Sequence, residues 1–131
     1  MSIRRPVQEE PPHPAALLRH LIYRLMPSVE WARSKEEGYL VYNADDKRDG
    51  FMHISAPHQV METANKHYNA YDALIVLGID KGAIAEMLKW EPSRGGELFP
   101  HAYGRVPATA VVHQLSVEKG RNGTFHIGGD L

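Results

Sequence analysis

His53 and Ser55 stand two residues apart in the string Gly50-Phe51-Met52-His53-Ile54-Ser55. On an extended strand that spacing turns both side chains to one face at about 7 Å separation. An imidazole placed there can donate a hydrogen bond or move a proton near neutral pH. Pro57 follows and suits the first turn of a helix, whose free N–H groups favour phosphate or carboxylate. The junction therefore reads as an anion pocket, with His53 as a candidate catalytic group and Ser55 as a ligand contact. Two plainer roles compete: Ser55 also suits a helix cap, and His53 could bond a buried backbone carbonyl.

A second concentration of polar, aromatic and imidazole side chains runs from Trp90 to Gly104 and includes Glu91, Arg94, Glu97, Phe99, His101 and Tyr103. It reads as a loop stiffened by Pro92 and Pro100 and loosened by Gly95 and Gly96, the kind of segment that carries function on a rigid scaffold. The plain alternative is an ordered surface connection in which Arg94 pairs with Glu91 or Glu97, an interaction worth little. No two of the eight histidines stand at helical i, i+4 spacing, and cysteine is absent. A metal site would need tertiary approach of His53, His58 and His101, and none is expected. Nucleophile-elbow, P-loop and dinucleotide-binding glycine patterns are also missing.

The elements that must hold these residues follow from propensity and punctuation. Residues 1–14 carry Pro6, Pro11, Pro12 and Pro14 among charges, which predicts a mobile tail; residues 15–131 are expected to form one domain. A strand over 21–25 stops at Pro27, and a helix over 28–37 runs from Ser28 as N-cap to Gly38, burying Val29 and Ala32. A strand is predicted over 39–42, a polar loop over 43–50, and the His53 strand over 51–55. A helix beginning at Pro57 buries Val60, Ala64, His67 and Tyr71 by their spacing. Further strands are predicted over 73–79, 87–90 and 110–117, with a turn at Asn122-Gly123. The fold class is α+β: small, twisted, antiparallel-rich sheets with two main helices.

Composition bounds the partners. A formal net charge of -1 supplies no basic field for nucleic acid, and no apolar run reaches the roughly 20 residues that span a bilayer. With no cysteine and no apolar leader, the expected setting is cytoplasmic. A small-molecule ligand is the expected partner, and self-association is an open alternative.

Gly50-Phe51-Met52-His53-Ile54-Ser55, Glu62-Thr63-Ala64-Asn65, Trp90-Glu91-Pro92-Ser93-Arg94-Gly95-Gly96 and Leu98-Phe99-Pro100-His101-Ala102-Tyr103-Gly104 resemble the family known as domain of unknown function 952, found in bacteria and plants. The resemblance spans about residues 21–117. It implies a fold similar to ADP-ribosyltransferase catalytic domains, with two small packed sheets and NAD as the cofactor between them. On that likeness Arg24 would hold an NAD phosphate, Ser55 would approach the nicotinamide ribose, and Glu97 would stabilise a ribosyl cation. His53 would bond ribose or phosphate, and Phe99 or Tyr103 would stack on a ring. Three features depart from that pattern: no Glu-x-Glu pair, a glycine-flanked Glu97, and Arg24 where histidine is expected. The same residues also suit a non-catalytic ligand pocket or a protein-interaction module using Phe99 and Tyr103.

Overall fold

Leu21–Met26 forms β1, and all six residues are buried, so this strand must be covered on both faces. The computed structural model describes residues 20–127, except for the side chain of Arg94. The expected tail over 1–14, and the start of order near Ala15, lie outside the described residues. One sheet runs β1, β3 (Ala73–Asp80) and β6 (Val111–Glu118), antiparallel throughout with β3 central. The other runs β2 (Met52–His53), β5 (Leu98–Ala102) and β4 (Leu88–Pro92), also antiparallel, with β5 central. Three helices connect them: α1 (Ser28–Glu37), α2 (Ala44–Asp49) and α3 (Val60–His67).

Two apolar clusters follow from strand alternation. Ile22 and Met26 of β1 pack with Met52, Ile54, Leu77, Ile79 and Trp31. Leu21, Tyr23 and Leu25 face the other way, onto Val76, Val117 and the Val60–Ala64 stripe of α3. Among the described residues the backbones of the two sheets are joined at one bridge, where Tyr23 and Ser55 exchange two hydrogen bonds of 2.8 Å. Just before it, Ile54 N–H donates to the Pro100 carbonyl at 3.2 Å. Pro100 has no N–H to return, so the β2–β5 ladder ends there and the chain crosses to the first sheet.

Several expectations need correction. Residues 43–50 are not a loop: Asn43 caps α2 through a reciprocal pair with Asp46, and Gly50 ends it at φ 85°. Residues 98–102 are not a loop either but the middle strand of the second sheet. Pro100 is tolerated there because its missing donor falls where β2 is already ending. The run over 39–42 makes no strand beyond an isolated bridge between Tyr39 and Pro107.

On α1 the buried face belongs to Trp31 and Ser34, while Val29 is exposed. Trp31 offers more area than Val29 and Ala32, and its Nε1 donates to Gln114 at 3.0 Å. Pro27 rather than Ser28 precedes α1, without a side-chain cap. On α3 the stripe holds for Val60 and Ala64 but not for His67 and Tyr71, which are exposed. No helix among the described residues is long and apolar enough to cross a membrane.

Candidate functional site

Arg24 projects from β1 into the space between the sheets and is 1% exposed. A guanidinium cannot be left there without a counter-ion. Asp46 of α2, fully buried, supplies it: its two oxygens accept from Nη1 at 3.2 Å and Nη2 at 2.5 Å. Arg24 Nη1 also donates to the His53 carbonyl at 2.9 Å. Asp46 thus sits at the hub of a network, and α2 exists to deliver it.

The network continues outward to His53. Asp46 Oδ1 lies 2.8 Å from His53 Nδ1 and 3.0 Å from its backbone nitrogen. Asp49, one helical turn on, meets the other ring nitrogen, Nε2, at 2.9 Å. Burial alone would lower the His53 pKa, but hydrogen bonds and charge from Asp46 and Asp49 outweigh it and raise the pKa above its ordinary value. With a carboxylate at each ring nitrogen, His53 has a partner for both N–H groups of its protonated form, which Asp46 and Asp49 favour. Asp49 is in turn held by Arg48, and its carboxyl is lowered to about 2, first by that guanidinium and also by His53.

Opposite His53 on β5 stands His101, its direct cross-strand partner. It is buried, and its Nδ1 lies 2.7 Å from Glu91 Oε1. The same Glu91 oxygen accepts from the Tyr103 hydroxyl at 2.7 Å, and bonds from His101 and then Tyr103 hold the Glu91 carboxyl below its ordinary range. Phe51 stacks on the His101 ring at 4.0 Å and leans on His53 at 4.7 Å, with the two imidazoles 5.7 Å apart. His53 is thus oriented by Asp46 and Asp49 and His101 by Glu91, and the two stand side by side.

Both histidines line one cleft of about 210 Å³. Its walls are Tyr23 and Leu25 of β1, Asp45, Arg48 and Asp49 of α2, Thr63 and His67 of α3, and Phe99 of β5, with Ser55 and Tyr68 alongside. Of the residues singled out from sequence, His53, Ser55, Phe99 and His101 are brought together here. Four others require a different account. Arg24 lies behind the cleft, committed to Asp46, so it cannot be the direct phosphate contact. Glu97 is exposed and not among the lining residues; its carboxylate lies 2.6 Å from His58 Nε2. Tyr103 stands beside the cleft, tied to Glu91. The Arg94 side chain lies outside the described residues.

The expected helix N-terminus is not a wall either. Ala56 and a 3-10 turn over Pro57–Gln59 precede α3, and the cleft meets the flank of α3 at Thr63, His67 and Tyr68. Ser55 is no cap: its hydroxyl donates to Thr63 Oγ1 at 3.2 Å. Sequence reasoning missed Asp46, Arg48 and Asp49 because it took them for loop residues. Asn43 followed three residues later by Asp46, with Gly50 beyond, was the available signal. Among the described residues no group of three or more His, Asp or Glu side chains is placed to hold a metal ion.

Comparison with known proteins gives relatives without a described activity. The crystal structure of protein CC0527 from Caulobacter crescentus is 35% identical and superposes with a TM-score of 0.76, covering 81% of this chain and 93% of that one. The solution structure of CC0527 is likewise 35% identical, with a TM-score of 0.71 over 80% of this chain and 90% of that one. No protein with a curated description matches. Residues 25–114 match the family described as protein of unknown function (DUF952), a span that holds β2, β5 and the whole of α2; this chain belongs to that family.

Proposed function

We propose that the cleft binds a small nucleotide-like ligand, a sugar phosphate bearing an aromatic ring. The observation that carries this reading is the His53 ring, fixed between Asp46 and Asp49 at the edge of a concave, partly apolar site. A buried ion pair such as Arg24–Asp46 is a weak source of stability. As the clamp for a functional cation it has a clear use, because perturbed ionisable groups concentrate where ligands are handled. His53 and Arg48 would receive the phosphate in exchange for Asp49. Asp45, Ser55 and Thr63 supply partners for sugar hydroxyls, and Phe99 with Leu25 an apolar wall.

The volume limits the ligand. About 210 Å³ falls below the roughly 300 Å³ at which pockets begin to enclose drug-sized molecules. A sugar phosphate would enter that space with the ring of a mononucleotide at its mouth, and NAD would place only its nicotinamide-ribose end there. If ADP-ribosyl transfer or NAD cleavage occurs here, the carboxylates in the cleft that could stabilise a ribosyl cation are Asp45 and Asp49, not Glu97.

Calorimetric titration with nicotinamide mononucleotide, AMP, ADP-ribose and NAD tests the reading. Saturable binding of at least one is expected, weakened at least about tenfold, or 1.4 kcal/mol, by His53→Gln and unchanged by Glu97→Gln. Absence of heat and of thermal stabilisation at millimolar ligand would sink it.

A second reading, a protein-interaction surface, is favoured by Trp90 and Leu98, which are 42% and 50% exposed on one face of the β4–β5 pair. Phe99 is buried and cannot serve it. Sedimentation of the native chain and of Trp90→Ala with Leu98→Ala checks this: a native monomer at high concentration would remove the self-association form of it.

A further inference from the structure

On the side of the molecule lined by Lys47 rather than by Asp45 and Asp49, a second concavity of about 220 Å³ is bounded by Arg33, Glu37, Tyr39, Tyr42, Lys47 and Arg105. Three cations face one carboxylate there, in a chain whose formal net charge is -1. Glu37 is engaged by Arg33 at 3.7 Å. Among the described residues, Lys47 and Arg105 have no carboxylate within 4.0 Å, in contrast to Arg48, which is paired with both Asp45 and Asp49. Like charges left unneutralised in one hollow repel each other, and a bound anion relieves that repulsion.

The walls of this hollow are fixed to one another. Leu40 N–H donates to the Val106 carbonyl at 2.8 Å and the Tyr42 hydroxyl to the Gly104 carbonyl at 2.6 Å, so residues 39–42 and 104–106 form one unit. Val41 N–H donates to Ser34 Oγ at 3.0 Å, which ties in α1 with Arg33. The Arg105 guanidinium lies 3.7 Å over the Tyr39 ring. Stacking of that kind orients the guanidinium plane while its N–H edge stays free for two parallel bonds to an oxyanion. Arg33 and Lys47 add point charges from two different helices.

We propose that Arg33, Lys47 and Arg105 form a seat for a phosphate dianion, free or as the terminal group of a small phosphomonoester, separate from the cleft at His53. The seat suits phosphate better than carboxylate, because three donor groups from three segments match an oxyanion that accepts on three oxygens. It also differs in character from the His53 cleft, where each cation already faces a carboxylate.

The test is an amide-resolved NMR titration of the full chain with inorganic phosphate and, separately, with AMP. Saturable shifts are expected at residues 39–42, 47 and 104–106. The double variant Lys47→Gln with Arg105→Gln should weaken phosphate read at residues 39–42 and 104–106 at least about tenfold, while Arg121→Gln, an exposed cation outside the seat, leaves it unchanged. Both replaced residues are exposed, so the variant should fold, and its spectrum away from the seat reports whether it does. Charge reversal at Lys47→Glu should abolish binding outright. The proposal is overturned by shifts confined to residues 53, 55 and 101, by unchanged affinity in the double variant, or by no saturation at millimolar phosphate. Reading the seat at residues 39–42 and 104–106, and the nucleotide cleft at residues 53, 55 and 101, separates failure of one from failure of the other.

Discussion

Asp46 is out of contact with solvent, yet its two oxygens accept from Arg24, from the ring and backbone of His53, and from Asn43 N–H at 2.9 Å. Burial would raise its pKa; hydrogen bonding to His53, then the charge and bonds of Arg24, outweigh that and hold the carboxyl below its ordinary value. Replacing Asp46 by Ala leaves the Arg24 guanidinium buried without a counter-ion, a loss of about 3–5 kcal/mol. The pH dependence has two limbs. A carboxyl that ionises below its unfolded value of about 3.9 contributes stability above that value, lost as pH falls through the folded pKa. An imidazole raised above its unfolded value of about 6.5 contributes stability that is complete below it and lost as pH rises through the folded pKa. Urea midpoints should therefore peak between those two values and decline on both sides. In Asp46→Asn the alkaline decline should shrink, since one of the two carboxylates holding His53 is gone. An unchanged alkaline limb would show that His53 is not held from Asp46.

A helix of six residues cannot sustain itself in water, because nucleation costs more than so few bonds return. α2 persists through its ends: Asn43 Oδ1 accepts from Asp46 N–H at 2.9 Å, Asp46 answers at Asn43 N–H, and Gly50 turns the chain with left-handed geometry. Asn43→Ala should cost about 1 kcal/mol, and Gly50→Ala about 1–2 kcal/mol by backbone conformation alone, since nothing lies within 4 Å of a Cβ there. Both should also lower the His53 pKa read by imidazole NMR, because Asp46 and Asp49 ride on this helix. A pKa unmoved in both variants would mean that the clamp does not depend on α2. The same helix marks the limit of what the sequence discloses. β3 and β6 announce themselves through apolar or β-branched runs, β1 and α1 through the stops at Pro27 and Gly38, and the two-residue spacing of His53 and Ser55 set both side chains toward one cleft. α2 has no apolar stripe at all; Ala44 to Asp49 is charged throughout and folds by capping and by burying a single carboxylate. β5 was hidden by Pro100, whose position is acceptable only because of where β2 ends. The family likeness marks Arg24 and Glu97 as site residues, but partners distant in sequence, Asp46 and His58, decide where each is spent.

At the scale of the molecule, the cleft lies where the two sheets are joined by the Tyr23–Ser55 bridge, so its floor belongs to both cores. Tyr23 ties them: its backbone bonds Ser55, it lines the cleft, and it sits opposite Gly78 on β3. A Cβ at Gly78 would fall 3.1 Å from Leu21 Cδ1, 3.1 Å from His113 Cβ and 3.3 Å from Tyr23 Cε1. Three neighbours would each have to give by a few tenths of an ångström at once, and overpacking of this kind costs about 1–3 kcal/mol. Gly82→Ala is the matched control, its nearest neighbour being Asp80 Oδ1 at an ordinary 3.5 Å. Gly78→Ala should lower the unfolding temperature and shift the amide resonances of Tyr23, Ser55 and His53, although residue 78 is not among those lining the cleft. Gly82→Ala should do neither. If Gly78→Ala destabilises the chain while Ser55 and His53 keep their native resonances, the bridge transmits nothing, and the cleft is shaped by the second sheet and α2 alone.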